Sequence, residues 1–472
     1  MHGSGREWDS AAMSRRLSRL TGLVMLFLTL LFAAAQPAAA QQVLRDSETE
    51  LFFRDMSAPL IKAAGLRPEN VKIVLLHDDE INAFVAGGQI VYIHSGLLQK
   101  ADNANQVQGV IAHELGHFAG GHIIRMGEGV KQATAITVLS LLLGLAAAAA
   151  GAPDAGMGLM MAGQRAAMGS FMSFTRAQES SADLAGASYL SKAGVSGKGS
   201  LEFFKKLQNQ EYRLAIYAHD SYDRTHPLSQ ERIQALTEVY GKDPAWNRPT
   251  DPALEARFQR VKAKLIGYVD SQHAVTFYPE SDQSVPGHYA RAYAYHLGAY
   301  PDKALTEANA LLATAPEDPF FLELKGQILL ESGRPRDALP LLREAVANAP
   351  DQPMIAVTLG HALVATEDAK NLAEAKNVLR AAVGRDNENP MAWLQLGMIY
   401  DREGDRARAS LAMAESRNLE GNPKLALASA KQAMAGIPSG TPDYLRAQDI
   451  AMVSQAELDK DKTKKKGKTD GE

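Results

Sequence analysis

Ala315-Pro316 recurs as Ala349-Pro350, and Gly326 recurs as Gly360, each 34 residues on. That spacing restricts what the C-terminal half can become. A unit of this length holds two helices and their turns but cannot bury an apolar face alone, so successive units must stack. Gly397 follows 37 residues after Gly360, as expected if one unit carries a small insertion near Glu367-Asp368. Arg334 to Ala345 and Leu372 to Ala382 read as the second helices of their units, alternating small and large apolar residues. An all-α solenoid over 285–455 is expected.

Trp393-Leu-Gln-Leu396-Gly397-Met-Ile-Tyr400 fits W-x₂-L-G-x₂-Y, the signature of the tetratricopeptide repeat, whose period is also 34 residues. Such arrays curve, and their concave face binds peptides or partner proteins. Residues 246–284 read as a linker with a bridging helix at Leu254 to Tyr268, between a Pro-rich stretch and the polar break at Pro279 to Pro286. The charged residues 456–472 are expected to be a disordered tail.

The N-terminus reads as an export signal. Arg15, Arg16 and Arg19 precede an apolar run from Leu23 to Ala35, and Ala38-Ala39-Ala40 supplies an A-x-A site. The run is short for a bilayer span, so residues 1–40 are expected to be a cleaved signal peptide and the mature protein periplasmic. The apolar residues that twin-arginine export needs after Arg15-Arg16 are not in place. The chain has no cysteine, which excludes disulfides, thiolate metal sites and a lipid-modified cysteine. A net charge of −4 gives no reason to expect a nucleic-acid partner.

Residues 41–245 read as an α+β domain. Helix-like spacing of Leu51, Phe52, Met56, Leu60 and Ile61 precedes strand-like runs at Val71 to Leu76, Ile81 to Val85 and Gln89 to His94. Gly87-Gly88 suits a hairpin turn between the last two. Helices are expected near Ser95 and from about Asn103. Residues 128–176 form an apolar insert in which Ala135 to Ala150 is almost wholly apolar. It suits a helical hairpin that covers the active site or touches a membrane surface through 135–172, and it also fits a somewhat short membrane span.

His113-Glu114-Leu115-Gly116-His117 carries the chemistry. On a helix, residues i and i+4 share a face, so the two imidazoles can grip one Zn²⁺. Glu114 would be the general base that activates water and passes the proton to the leaving amine. The apolar helix around the motif (Val107, Val110, Ile111, Leu115, Phe118) makes three such polar residues costly without a purpose. A third histidine six residues beyond His117 would fall at Ile123, so the metzincin pattern fails. Glu179-Ser-Ser-Ala182-Asp183 offers Glu179 as third ligand and Asp183 as a brace for a ligand histidine. His94 and His122 read as structural.

HELGH, the later E-x-x-A-D, Asn82-Ala-Phe-Val-Ala-Gly-Gly88 upstream and His226-Pro-Leu-Ser-Gln-Glu-Arg232 downstream occur in that order. Together they resemble the HtpX/BepA/Oma-type gluzincin peptidases, best of all the exported, repeat-bearing BepA-like periplasmic proteases. The further acidic residue often found within the family's E-x-x-A-D is replaced here by Ser180-Ser181. The resemblance implies one zinc per chain on His113, His117 and Glu179. It implies that His226 either stabilises the tetrahedral intermediate or caps the zinc at rest, and that Arg232 assists nearby. It makes Ile81 to Val85 an edge strand that aligns extended substrate. The expected protein is a mainly α zinc endopeptidase with a small sheet, acting on unfolded or misassembled envelope proteins. A chaperone-like role with the outer-membrane protein assembly machinery is also implied. The alternative is an assembly scaffold whose protease site is capped or silent.

Overall fold

Short apolar runs build a four-stranded sheet with strand order β1-β2-β4-β3: β1 Gln42–Leu44, β2 Lys72–His77, β3 Ala83–Ala86 and β4 Ile90–His94. The computed structural model describes residues 42–149, 152–214, 226 and 229–469; the export signal read over 1–40 lies outside them. β3 and β4 pair antiparallel across Gly87 and Gly88, whose φ angles of 43° and 91° need a residue without Cβ. β2 pairs with β4 in parallel, Val74 opposite Tyr92, so β3 is left at the sheet edge.

Helix α1, Ser47–Ala63, is capped by Asp46 and buries Phe52, Phe53, Met56, Leu60 and Ile61. Helix α2, Ser95–Lys100, leads into α3, Ala104–Ala119, which carries HELGH. Asn103 caps α3 by accepting from the Gln106 amide at 3.0 Å, and the Gln106 side chain accepts from the Asp102 amide at 2.8 Å. This helix is buried along nearly its whole length. The chain breaks at Gly120 and Gly121, the latter at φ 62°, and then forms α4, His122–Ala149, and α5, Pro153–Ala193. The two make an antiparallel hairpin: a Cβ on Gly129 would strike Phe174, and one on Gly163 would strike Ser140. The apolar side chains of α4 between Val138 and Leu145 are largely exposed. The small-residue seam satisfies each helix with the other.

Helices α6 (Lys198–Leu214), α7 (Gln230–Gly241) and α8 (Pro252–Val269) complete the domain. The segment expected to be a linker is a core element here. Phe258, Val261 and Leu265 of α8 pack in one cluster with Phe52, Val107 and Ile111. Its charged face ties α1 to the repeats: Arg260 pairs with Glu48 of α1 at 2.6 Å and with Asp318 at the first repeat helix at 2.7 Å, and Lys264 pairs with Asp46, the cap of α1.

After α9 (Ser271–Phe277), α10 (Val285–Leu297) and α11 (Pro301–Thr314), the 34-residue period becomes paired helices. These are α12 Pro319–Glu331 with α13 Pro335–Asn348, α14 Pro353–Ala365 with α15 Ala369–Arg385, and α16 Pro390–Arg402 with α17 Arg406–Leu419. The repeated glycines have a packing reason. A Cβ on Gly326 would lie 2.6 Å from the Leu342 side chain, and one on Gly360 would lie 2.5 Å from Leu379. The insertion is an added turn at the start of α15, just after Glu367. Helix α18 (Pro423–Gly436) is followed by α19, which runs from Pro442 to Thr469. The tail expected to be disordered is therefore helical as far as Thr469. Ala, Leu, Glu and Lys extend an existing helix cheaply, helped by local pairs such as Lys462 with Asp459 at 3.1 Å.

Candidate metal centre

Two helices make the site by approaching unusually closely. A Cβ on Gly116 would lie 2.5 Å from the Ala182 carbonyl oxygen, and one on Gly186 would lie 3.0 Å from that of Ala112. The glycine in HELGH and the alanine in E-x-x-A-D thus meet where α3 crosses α5. That contact carries Glu179 to the two histidines.

His113, His117, Glu179 and His226 each turn one ligand atom to a common point, all buried and within 4.8 Å of one another. His113 Nε2 is 3.0 Å from His117 Nε2, 3.4 Å from His226 Nδ1 and 3.4 Å from Glu179 Oε2. Glu179 Oε1 lies 3.3 Å from His117 Nε2 and 3.4 Å from His226 Nδ1. Ligands about 2.0–2.1 Å from a tetrahedral ion stand about 3.3–3.4 Å apart, so this donor set fits one.

The outward nitrogens are engaged as such a site requires. His113 Nδ1 meets Asp183 Oδ1 at 2.9 Å. His226 Nε2 donates to the Ala83 carbonyl at 3.1 Å, and its Nδ1 is the nitrogen that faces His113 and Glu179. His117 Nδ1 meets His122 Nδ1 at 2.9 Å. His122, read from sequence as merely structural, therefore orients a histidine of the cluster. In an unbroken helix it would point well away from His117; the Gly120-Gly121 break turns it back. His94 stays apart, buried against Phe84 with Asp78 at 3.6 Å. Pro227 and Leu228 of the downstream motif lie outside the described residues.

Arg232 is buried beneath the cluster. Its Nε and Nη2 donate to both oxygens of Asp183 at 2.7 and 2.9 Å, and Nη1 lies 3.1 Å from Glu179 Oε2. Glu114 is fully buried, with His226 Nε2 3.4 Å from Oε1. Burial raises the Glu114 pKa, against the opposing pull of His226 and His113. Burial alone would raise Glu179 too, but bonds from His113, His117 and His226 hold it far below the usual carboxylate range. Burial also disfavours the charged form of His113. Its bonds to Asp183 and Glu179 outweigh this and hold the pKa at about 10. Burial, opposed by Glu179 and aided by the His113 charge, brings His117 down to about 3.

The metal-free cluster thus holds a proton on His113 at neutral pH, and a metal must displace it. Affinity should rise with pH toward about 10, by up to about tenfold per unit, with close to one proton released per ion bound. Calorimetry at two pH values in buffers of different ionisation enthalpy would measure this; binding that is independent of pH and buffer would contradict it.

Three converging side chains on a crossed helix pair, joined by His226 from the segment before α7 and set beside a buried carboxylate, are the framework of a metal-dependent peptidase. Residues 48–240 match peptidase family M48, and the chain carries a domain of that family. Over 425 residues it is 25% identical to the beta-barrel assembly-enhancing protease of Yersinia pestis, covering 88% of this chain and 85% of that protein. The protein of the same name from Escherichia coli (strain K12) is 26% identical over 408 residues, covering 84% of this chain and 80% of that one. Among solved structures the chain is similar to YrrB, described as a TPR protein with an unusual peptide-binding site, at 21% identity and a TM-score of 0.30, over 38% of this chain and 92% of that one.

Proposed function

We propose that the chain is a zinc endopeptidase for unfolded or misassembled envelope proteins, held at rest by its own histidine. The observation that carries this is His226. Its Nδ1 completes a four-ligand set, and its Nε2 takes the Ala83 carbonyl on edge strand β3. Closed four-ligand sites are structural, whereas catalytic ones keep a position open. One residue therefore fills both the open position and the edge on which an extended substrate would pair. Three nitrogens and a carboxylate, with no thiolate, suit zinc. When bound, zinc lowers the pKa of water to about 7 and polarises the scissile carbonyl.

The chain's own residues do the rest. Glu114 accepts the proton of the attacking water and hands it to the leaving amine; its raised pKa suits both tasks. His113, His117 and Glu179 hold the metal, braced by Asp183, His122 and Arg232. Displacement of His226 frees the Ala83 carbonyl for substrate and leaves the imidazole near the reacting centre, where it can stabilise negative charge. Similarity to the two beta-barrel assembly-enhancing proteases supports an exported protein whose repeats dock substrates or outer-membrane assembly components.

His226→Ala should keep its metal and cleave an unfolded protein several-fold faster than the parent, read by gel assay beside metal analysis. The closed ligand set also favours a second reading, an assembly scaffold with a silent site. Metal-loaded parent and His226→Ala that both fail to cleave would support the scaffold instead.

A further inference from the structure

We propose that the α4–α5 hairpin enters a lipid bilayer and seats the peptidase domain with its metal centre at the membrane surface. Among the described residues, α4 is the one helix long and apolar enough to cross a membrane, and 6% of its most apolar window is buried. It is neither a core helix nor an N-terminal signal, the two usual reasons for such a segment.

What covers it follows from the distribution of its side chains. Val138, Leu139, Leu141, Leu142, Leu143 and Leu145 are 47–59% exposed. At about 100° per residue they sweep roughly 200° of the helix. The remaining arc, with Ser140 and Gly144, is taken by α5. Across the seam, α5 turns Met157, Leu159 and Met161 outward. A protein partner or a second copy would cover one side of such a pair; lipid covers every side. The seam itself is of the kind that joins helices in lipid: a Cβ on Gly156 would lie 2.4 Å from the Gly144 carbonyl.

Length and charge agree. No charged residue occurs between Lys131 and Asp154. Gln132 to Ala149 spans about 27 Å at 1.5 Å per residue, close to a hydrocarbon core of about 30 Å. The exposed root carries Arg125, Lys131 and Arg176 against Glu128, a net positive collar suited to anionic headgroups. Asp154 then reaches the far headgroups at the turn. Arg165 faces the level of Val138, about 9 Å inside the entry plane, within reach of a snorkelling guanidinium. Glu179 lies eight residues along α5 from Phe171, which is level with Gln132, so the centre stands about 12 Å from the membrane surface.

The test is flotation of the full mature chain with vesicles of phosphatidylethanolamine and phosphatidylglycerol, beside Leu142→Glu/Leu145→Glu. Circular dichroism and bound metal confirm that each protein is folded. The parent should float, and the variant should bind about a hundredfold more weakly or worse. Because the chain lacks cysteine, Leu142→Cys can carry a single environment-sensitive fluorophore. Its emission should shift blue with vesicles and be quenched by nitroxide lipids. A folded parent that stays soluble with unshifted emission overturns the proposal, and so does a dimer that buries the label without vesicles. Neither readout involves cleavage, so failure here leaves the peptidase reading standing.

Discussion

Glu114→Gln should bind metal as fully as the parent and cleave an unfolded protein about 10²–10⁴ times more slowly, the usual contribution of a general base. The substitution is nearly isosteric in a pocket where the side chain is fully buried, so packing on α3 is kept. What it removes is the ability to take a proton from water and return it to the leaving amine. It should be made in the His226→Ala background as well, where the open site gives the larger signal to lose. Loss of cleavage at equal metal content assigns the base. Undiminished cleavage would show that another group does the work, and the role proposed for Glu114 would fall.

The second large effect is on stability. Arg232→Met should destabilise the metal-free peptidase domain by about 3–5 kcal/mol, because it leaves Asp183 and Glu179 as buried anions without their guanidinium. The Asp183 pKa shows what is lost. Burial would raise it, but Arg232 and His113 hold it below the ordinary value. Its contribution is therefore present above the unfolded pKa and disappears as pH falls through the depressed one. Adding Asp183→Asn to Arg232→Met should recover part of the loss, since one stranded charge is then neutralised. Urea midpoints for the single and double variants would measure the coupling; strictly additive losses would mean that the two groups do not act as a pair.

Much of the candidate site was legible because it is local. The i, i+4 spacing of His113 and His117 needs only a helix, and the apolar residues around them ensure one. Glu179 and Asp183 are likewise a single helical turn apart, but nothing local ties them to α3. The tie is the contact of Gly116 with Ala182, two small residues that carry no chemistry of their own. His122 matches no ligand position and reads from sequence as structural, because lone histidines rarely ligate. Only a positive φ at Gly121 brings it to His117. His226 was recognised through its motif, yet its double engagement with the ligand cluster and with Ala83 depends on three separate elements meeting.

By itself the sequence determined what repeats locally: the HELGH face, the strands on either side of Gly87-Gly88, and the 34-residue units whose glycines admit Leu342 and Leu379. Periodicity and steric exclusion act over one turn or one hairpin, and they are written in neighbouring residues. Only the tertiary structure decided the parallel pairing of β2 with β4, the burial of α8 on both faces, the helical tail, and the approach of His226 to His113, His117 and Glu179. Each depends on which surfaces are covered by distant parts of the chain. Desolvation and close approach fix those contacts, and neither is visible until the chain has folded.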